Sequence, residues 1–304
     1  MDRMQIALAL GGGGSKGHAH TGVLRVLERE GIRIGAMAGT SMGALIGAVY
    51  LAGNSPDEIE ARMDQTENRQ LFRRGSDDGN ALMGLKGVEE LLEETLGGQT
   101  FEDLPVPFAV TAVDLVTGVE IMLRSGRLVD AVLAAIAIPG VFPARQVGDF
   151  QLVDGGVSNP VPVTLVRRLD PSLPVVAVAL SKPPQLEHEI ETPSALKAMP
   201  LLERFTTLRW GRALSIFMRS MAISGSLLTE YRLASEMPEV IIRPDVETIG
   251  ILDEIDVPWV VKLGEQAAEA ALPRILRHLH WRRQVIRRVG LGALMRRLSS
   301  RNGI

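Results

Sequence analysis

Three stretches of this chain hold residue types at spacings that suit chemistry. In Gly39-Thr40-Ser41-Met42-Gly43 a serine stands between glycines, where an apolar run gives way to a helix of small residues. A G-x-S-x-G elbow turns sharply from strand to helix. It lifts the serine Oγ out of the sheet and sets it at the positive end of the following helix. In LALGGGGSKGHAH, residues 8 to 20, an apolar run breaks into four glycines. Glycine tolerates positive φ and leaves backbone N–H groups uncovered, so this loop can offer donors to an anion. In LVDGGVSNPVPV, Asp154 ends a third apolar run and precedes two glycines.

The anion at the glycine loop is either a bound phosphate or a transient oxyanion. Gly12, Gly14 and Gly17 fit G-x-G-x-x-G, but a dinucleotide also needs an acidic residue at the end of the second strand. That strand ends in MAGTSMG, which has no carboxylate, and Lys16 is followed by glycine rather than the Ser or Thr of a Walker loop. An oxyanion is the better fit, because a nucleophilic serine needs a base and donors for the charge formed on the carbonyl it attacks.

The base is the less obvious partner. His188 lies in an acidic connector, His278 and His280 lie on an arginine-rich helix, and His18 and His20 open the first helix ahead of the serine. None follows a strand in a tight turn. Asp154 does, and withdrawal from water raises a carboxylate's proton affinity enough for it to serve. The reading is therefore a Ser41 nucleophile with Asp154 as base; a Ser-His-Asp esterase or acyltransferase is the alternative. Asp114, after a strand in TAVDLVTG, is read as structural, and Lys16 is assigned no catalytic role.

These residues need a frame. Strands are expected at 5–10, 32–38, 107–115, 119–124, 150–156, 174–180 and 240–244, with helices at 17–30, 44–53, the stretch LVDAVLAAIAI and from about Pro258 to Leu279. Residues 57–97 read as helical with a loose middle near 72–84 that suits a lid. Alternating strands and helices argue for a parallel α/β sheet, whose strand-end loops lie side by side and bring serine and glycines together.

The chain has 304 residues, 46% hydrophobic and 23% charged, enough to bury a sizeable core. It has no cysteine, which excludes disulfides, thiolate metal sites and thiol nucleophiles. Six apolar residues before the glycines are too few for a signal peptide, and the best apolar window carries Asp130 and Pro139, so no transmembrane span is expected. Net charge is −3, yet nine arginines and no acidic residue fall between Arg274 and Ile304. With few aromatics this does not read as a nucleic-acid face. Two readings stand for the tail: a basic amphipathic helix on an anionic membrane, or an ordinary helix packed on the acidic body.

In order, LALGGGGSKGHAHTGVL, GTSMGA, TAVDLVTG, AIAIPGVFP and LVDGGVSNPVPV resemble the patatin-like phospholipase family in its compact bacterial form. IRPDVETIGILDEID and LGEQAAEAAL extend the likeness to about residue 272. The resemblance implies an α/β three-layer fold with a mainly parallel central sheet flanked by helices, and a Ser–Asp dyad at the carboxyl ends of the strands. It also implies hydrolysis of acyl esters of lipids, of phospholipase A or lysophospholipase type, with no cofactor and no metal. By position, Ser41 is the nucleophile, Asp154 the base, and Gly12, Gly13 and Gly14 the oxyanion donors. The expected division is a catalytic core at 5–180, a connector at 181–200, a completing part at 201–272 and a basic tail helix at 273–304. The expected partners are a lipid substrate and an anionic membrane met through that tail, at the inner face of a cytoplasmic location. A lipid-binding regulatory or adaptor protein on the same fold is the reading from outside enzymology.

Overall fold

The computed structural model describes residues 4–65, 71–75, 81–183 and 209–299, with the side chains of 209–215 and 281–299 excepted. Strands β1 (Gln5–Leu10), β2 (Arg33–Thr40), β3 (Phe108–Asp114), β4 (Glu120–Leu123), β5 (Arg145–Val147), β6 (Phe150–Asp154), β7 (Val175–Val178) and β8 (Val240–Ile242) form one sheet. Its order is β5-β6-β3-β2-β1-β7-β8, with β4 also paired to β3. β1, β2, β3, β7 and β8 run parallel, β4 and β6 run against them, and β5, antiparallel to β6, points the same way as β3.

Period-two alternation decides what each face can hold. Along β1, Ile6, Leu8 and Leu10 face the larger core, while Ala7 and Ala9 face the smaller one. The bulky face is covered by α1 (Ala19–Arg29), α2 (Met42–Leu51), α3 (Pro56–Asp64), α4 (Lys86–Leu96), α5 (Leu128–Ala135) and α8 (Val257–Ser299). The alanine face lets α6 (Val163–Leu169) lie close, and α7 (Arg209–Glu236) reaches the same cluster through Leu233. The result is the expected three-layer arrangement.

Two features of this frame make a site. After β3 the chain returns to lay β7 on the far side of β1, so strand order reverses beside β1, where parallel α/β sheets bind ligands. The glycine loop leaves from that point. On β3, β4 fills one edge over Val110–Val113, and β2 and β6 share the other: β2 pairs as far as Thr111, opposite Thr40, and β6 takes over at Ala112, opposite Asp154. β2 and the antiparallel β6 therefore meet end to end. Their last residues abut where Ser41 begins.

Candidate active site

At the end of β2, Ser41 turns the chain with φ 52° and ψ −125°, a left-handed conformation rare for a residue with a side chain and one that costs on the order of 1–3 kcal/mol. The turn is closed by Ala44 and Leu45, whose amides donate to the Ser41 carbonyl at 2.8 and 3.2 Å. The hydroxyl thus projects at the start of α2, nearly buried. Ser41 Oγ donates to Asp154 Oδ2 at 2.6 Å.

Asp154 reaches this position from the opposite direction to that expected of a parallel neighbour, because β6 is antiparallel. Its other oxygen, Oδ1, accepts from the Gly156 amide at 2.7 Å, and its own amide donates to Ala137. Gly155 has no room for a side chain, since a Cβ there would lie 2.5 Å from the Thr111 carbonyl oxygen. Thr40 Oγ1 donates to the Asn159 carbonyl at 2.8 Å, tying the nucleophile's strand to the loop after Asp154. Burial pushes the Asp154 carboxyl up to about 6, against the pull of its bonds from Ser41 and Gly156. It still ionises below neutrality.

The glycine loop lies against this pair but does not offer all three expected amides. Gly12 N–H donates to the Pro160 carbonyl at 2.9 Å, so it is committed to holding the loop. Its missing side chain matters separately, since a Cβ would stand 3.1 Å from that of Ser41. Among the described residues, the Gly13 and Gly14 amides have no hydrogen-bond acceptor. The loop is pinned from two sides. Ser15 N and Oγ donate to Ile251 O at 2.9 Å and Asp253 O at 2.7 Å, and His20 Nε2 donates to Gly11 O at 2.7 Å.

That bond gives His20 a structural place. The ring is wholly buried, and desolvation pushes it down to about 4, so it stays neutral near pH 7. His18 lines the cleft beside Ser41, His278 and His280 lie on α8, and His188 falls outside the described residues. The one hydrogen-bond partner of Ser41 Oγ among the described residues is Asp154. Burial likewise lowers Lys16, while Glu247 and Asp253 oppose the shift by favouring its charge.

A cleft of about 210 Å³ opens beside Ser41, walled by apolar side chains that include Met42, Leu45, Leu85, Val88 and Phe142. The long loop expected to act as a lid supplies Phe72 to this wall; residues 76–80 lie outside the described part. No group of three or more His, Asp or Glu residues among those described is placed to hold a metal, and no described helix is long and apolar enough to cross a membrane. Residues 184–200 of the expected connector lie outside the described part as well. The basic tail is continuous with the preceding helix, as α8 runs unbroken through Pro273 to Ser299.

Sequence reasoning missed the contact between the glycine loop and residues 251–253, which are some 236 positions away. It also missed Pro160 as an acceptor. Nothing local marks either.

Comparison with known proteins bears on the family and the fold. The family model for patatin-like phospholipases matches residues 8–167. An NTE family protein of Mycobacterium tuberculosis is 35% identical over 180 residues, covering 58% of this chain and 49% of its own. A lysophospholipase of Mycosarcoma maydis is 30% identical over 172 residues, covering 54% of this chain and 9% of its own. The chain spans about half the length of the mycobacterial relatives it matches. Among solved structures, VipD from Legionella pneumophila is similar in fold, with a TM-score of 0.52 over 91% of this chain and 67% of that one at 12% identity. With its family match covering more than half of its residues, from the strand before the glycine loop to α6, the chain belongs to the patatin-like phospholipase family.

Proposed function

We propose that the chain is a serine acyl hydrolase that cleaves carboxylic esters of lipids, of phospholipase A or lysophospholipase type. The observation that carries this reading is the 2.6 Å bond from Ser41 Oγ to a buried carboxylate at a strained strand-to-helix turn. The family supports a lipid substrate, and the apolar cleft beside Ser41 suits an acyl chain.

In this reaction Ser41 Oγ attacks the ester carbonyl carbon while its proton passes to Asp154 Oδ2. The carbonyl oxygen becomes an oxyanion facing the Gly13 and Gly14 amides. Collapse breaks the C–O bond to the alcohol, which leaves with the proton from Asp154 and leaves an acyl-Ser41 ester. A water then gives its proton to the same carboxylate and attacks the acyl carbon, and the fatty acid departs as Ser41 recovers its hydrogen. Gly12 holds the loop in this scheme, and Gly13 and Gly14 act as the donors. The arginines of 274–304 add attraction to an anionic membrane surface on the cytoplasmic side.

An organic fluorophosphonate tests the reading at its centre. The chain should be labelled once, at Ser41, and Ser41→Ala should not be labelled; an inert wild-type serine would favour the adaptor reading instead. The pH profile gives a second check. Asp154 accepts a proton only as the carboxylate, so kcat/KM for an uncharged soluble ester should fall about tenfold per unit below pH 6 and level off above it. A plateau reaching down to pH 4 would contradict Asp154 as base.

A further inference from the structure

The edge of the sheet that carries Ser41 also carries two apolar projections. β3 runs parallel to β2, so the turn after Asp114 leaves at the edge where Ser41 sits. There Leu115, Val116 and Val119, joined by Phe150 at the start of β6, are between 43% and 78% exposed. Phe150 stands four residues before Asp154, about 13 Å beyond it along the strand. This tip is built rather than loose. Asp114 is buried and accepts from Thr117 N, Thr117 Oγ1 and Gln151 N, which fastens the β3–β4 turn to the start of β6.

The second projection is the first half of α7. Its Ser226 Oγ donates to the carbonyl of Lys182, four residues past the end of β7, while the carbonyls of Glu236 and Met237 at its other end accept from Arg167 of α6. Glu239 then accepts from the amide of Val175, which opens β7. The helix therefore runs against β7, and the residues before Ser226 stand beyond the edge. There Ile216, Phe217 and Ile223 are 46% to 66% exposed, as is Leu227 just past Ser226, while Met218 packs against the larger core. From Ser215 to Thr229 the sequence holds one charge, Arg219.

In sheet order the tip belongs to β3 and β6, the helix leaves beside β7, and the loops of β1 and β2 that bear the glycines and Ser41 lie between them. We propose that the β3–β4 tip and the projecting half of α7 form a docking surface for a lipid aggregate, holding the Ser41 site against it. Both features are convex and apolar, a shape that inserts among acyl chains rather than one that cradles a protein segment. The tip residues 115–119 and 148–150 carry one charge, Asp149, and the α7 stretch carries one, Arg219, so the surface has no excess of either sign and fits zwitterionic lipid. This mode is distinct from attraction by the arginine tail, and it rests on the hydrolase reading for its substrate.

The test uses the full chain with Ser41→Ala, so that vesicles survive, and cosedimentation with phosphatidylcholine vesicles. Binding should persist at 0.5 M NaCl. Val116→Glu and Ile223→Glu should each weaken it by about tenfold or more, and Val116→Trp should strengthen it. In the Ser41 chain the two glutamate variants should hydrolyse a short soluble ester at the parental rate, while turnover of vesicular phospholipid falls with binding. Binding unmoved by either glutamate would overturn the proposal. So would release by salt, which would assign attachment to the arginines, or a dimer made monomeric by the substitutions, which would assign these faces to a second copy. If vesicle binding responds as stated but the soluble ester is not cleaved, the surface stands and the hydrolase reading falls.

Discussion

Asp154→Asn is expected to lower kcat/KM for ester hydrolysis by about 10⁴-fold while making the folded chain more stable at pH 8. The first half follows from shape and chemistry. Asparagine keeps an acceptor for the Gly156 amide only by turning its N–H₂ toward Ser41, and that group takes no proton. Ser41→Ala should lose as much, and the double variant little more, because nucleophile and base act as a unit. The second half is linkage. The folded carboxyl is raised from 3.8 to about 6, so between those values the native state holds its proton more tightly than the unfolded chain does. The contribution to stability is therefore complete below pH 4 and is lost as pH rises through 6. Above that, an ionised Asp154 costs about 3 kcal/mol at roughly 1.4 kcal/mol per unit. Asparagine carries no charge to bury, so urea unfolding at pH 8 should show a gain of about 1–3 kcal/mol that vanishes near pH 4. Inactivity with a gain in stability cannot come from misfolding. A variant that is both inactive and destabilised at pH 8 would count against this account of Asp154.

Much of this arrangement is legible from single stretches, because the signals are local. Alternation in QIALAL marks β1, and G-x-S-x-G marks the turn at Ser41. An aspartate after a buried run marks the end of β6. What single stretches do not carry is direction and partnership. β5 is three residues long and α6 only seven, too short to show a period. The antiparallel course of β6 depends on which edge of β3 stays open once β2 has ended at Thr40, and that is decided by register. The Gly12 amide looked available because a glycine loop announces exposed donors; the acceptor that takes it, Pro160 O, comes from a turn 148 residues later. The helix expected at 258–279 and the basic tail proved to be one element: α8 runs on through Pro273, although a proline there gives up one intrahelical hydrogen bond and reads locally as a break.

Gly14→Ala should reduce kcat by about 10²- to 10³-fold with Ser41 and Asp154 both intact. Two separate obstacles meet at this residue. Its φ is +56°, which an alanine tolerates poorly, and a Cβ there would fall inside the van der Waals envelope of the Ile251 carbonyl oxygen. That carbonyl cannot step aside freely, because it accepts from the Ser15 amide at 2.9 Å and so belongs to the clamp on the loop. The loop must move instead, taking the Gly13 and Gly14 amides out of line with the place where the oxyanion forms. Gly31 separates the two causes. Its φ is +65°, but nothing lies within 4 Å of where its Cβ would be. Gly31→Ala should therefore cost stability alone, on the order of 1 kcal/mol, and leave turnover unchanged. Fluorophosphonate labelling should slow in Gly14→Ala as well, since the phosphonyl oxygen draws on the same donors, and KM should move less than kcat. If Gly14→Ala and Gly31→Ala turn over ester equally fast, the amides beyond Gly12 do not stabilise the charge, and the oxyanion must be held by groups outside this loop.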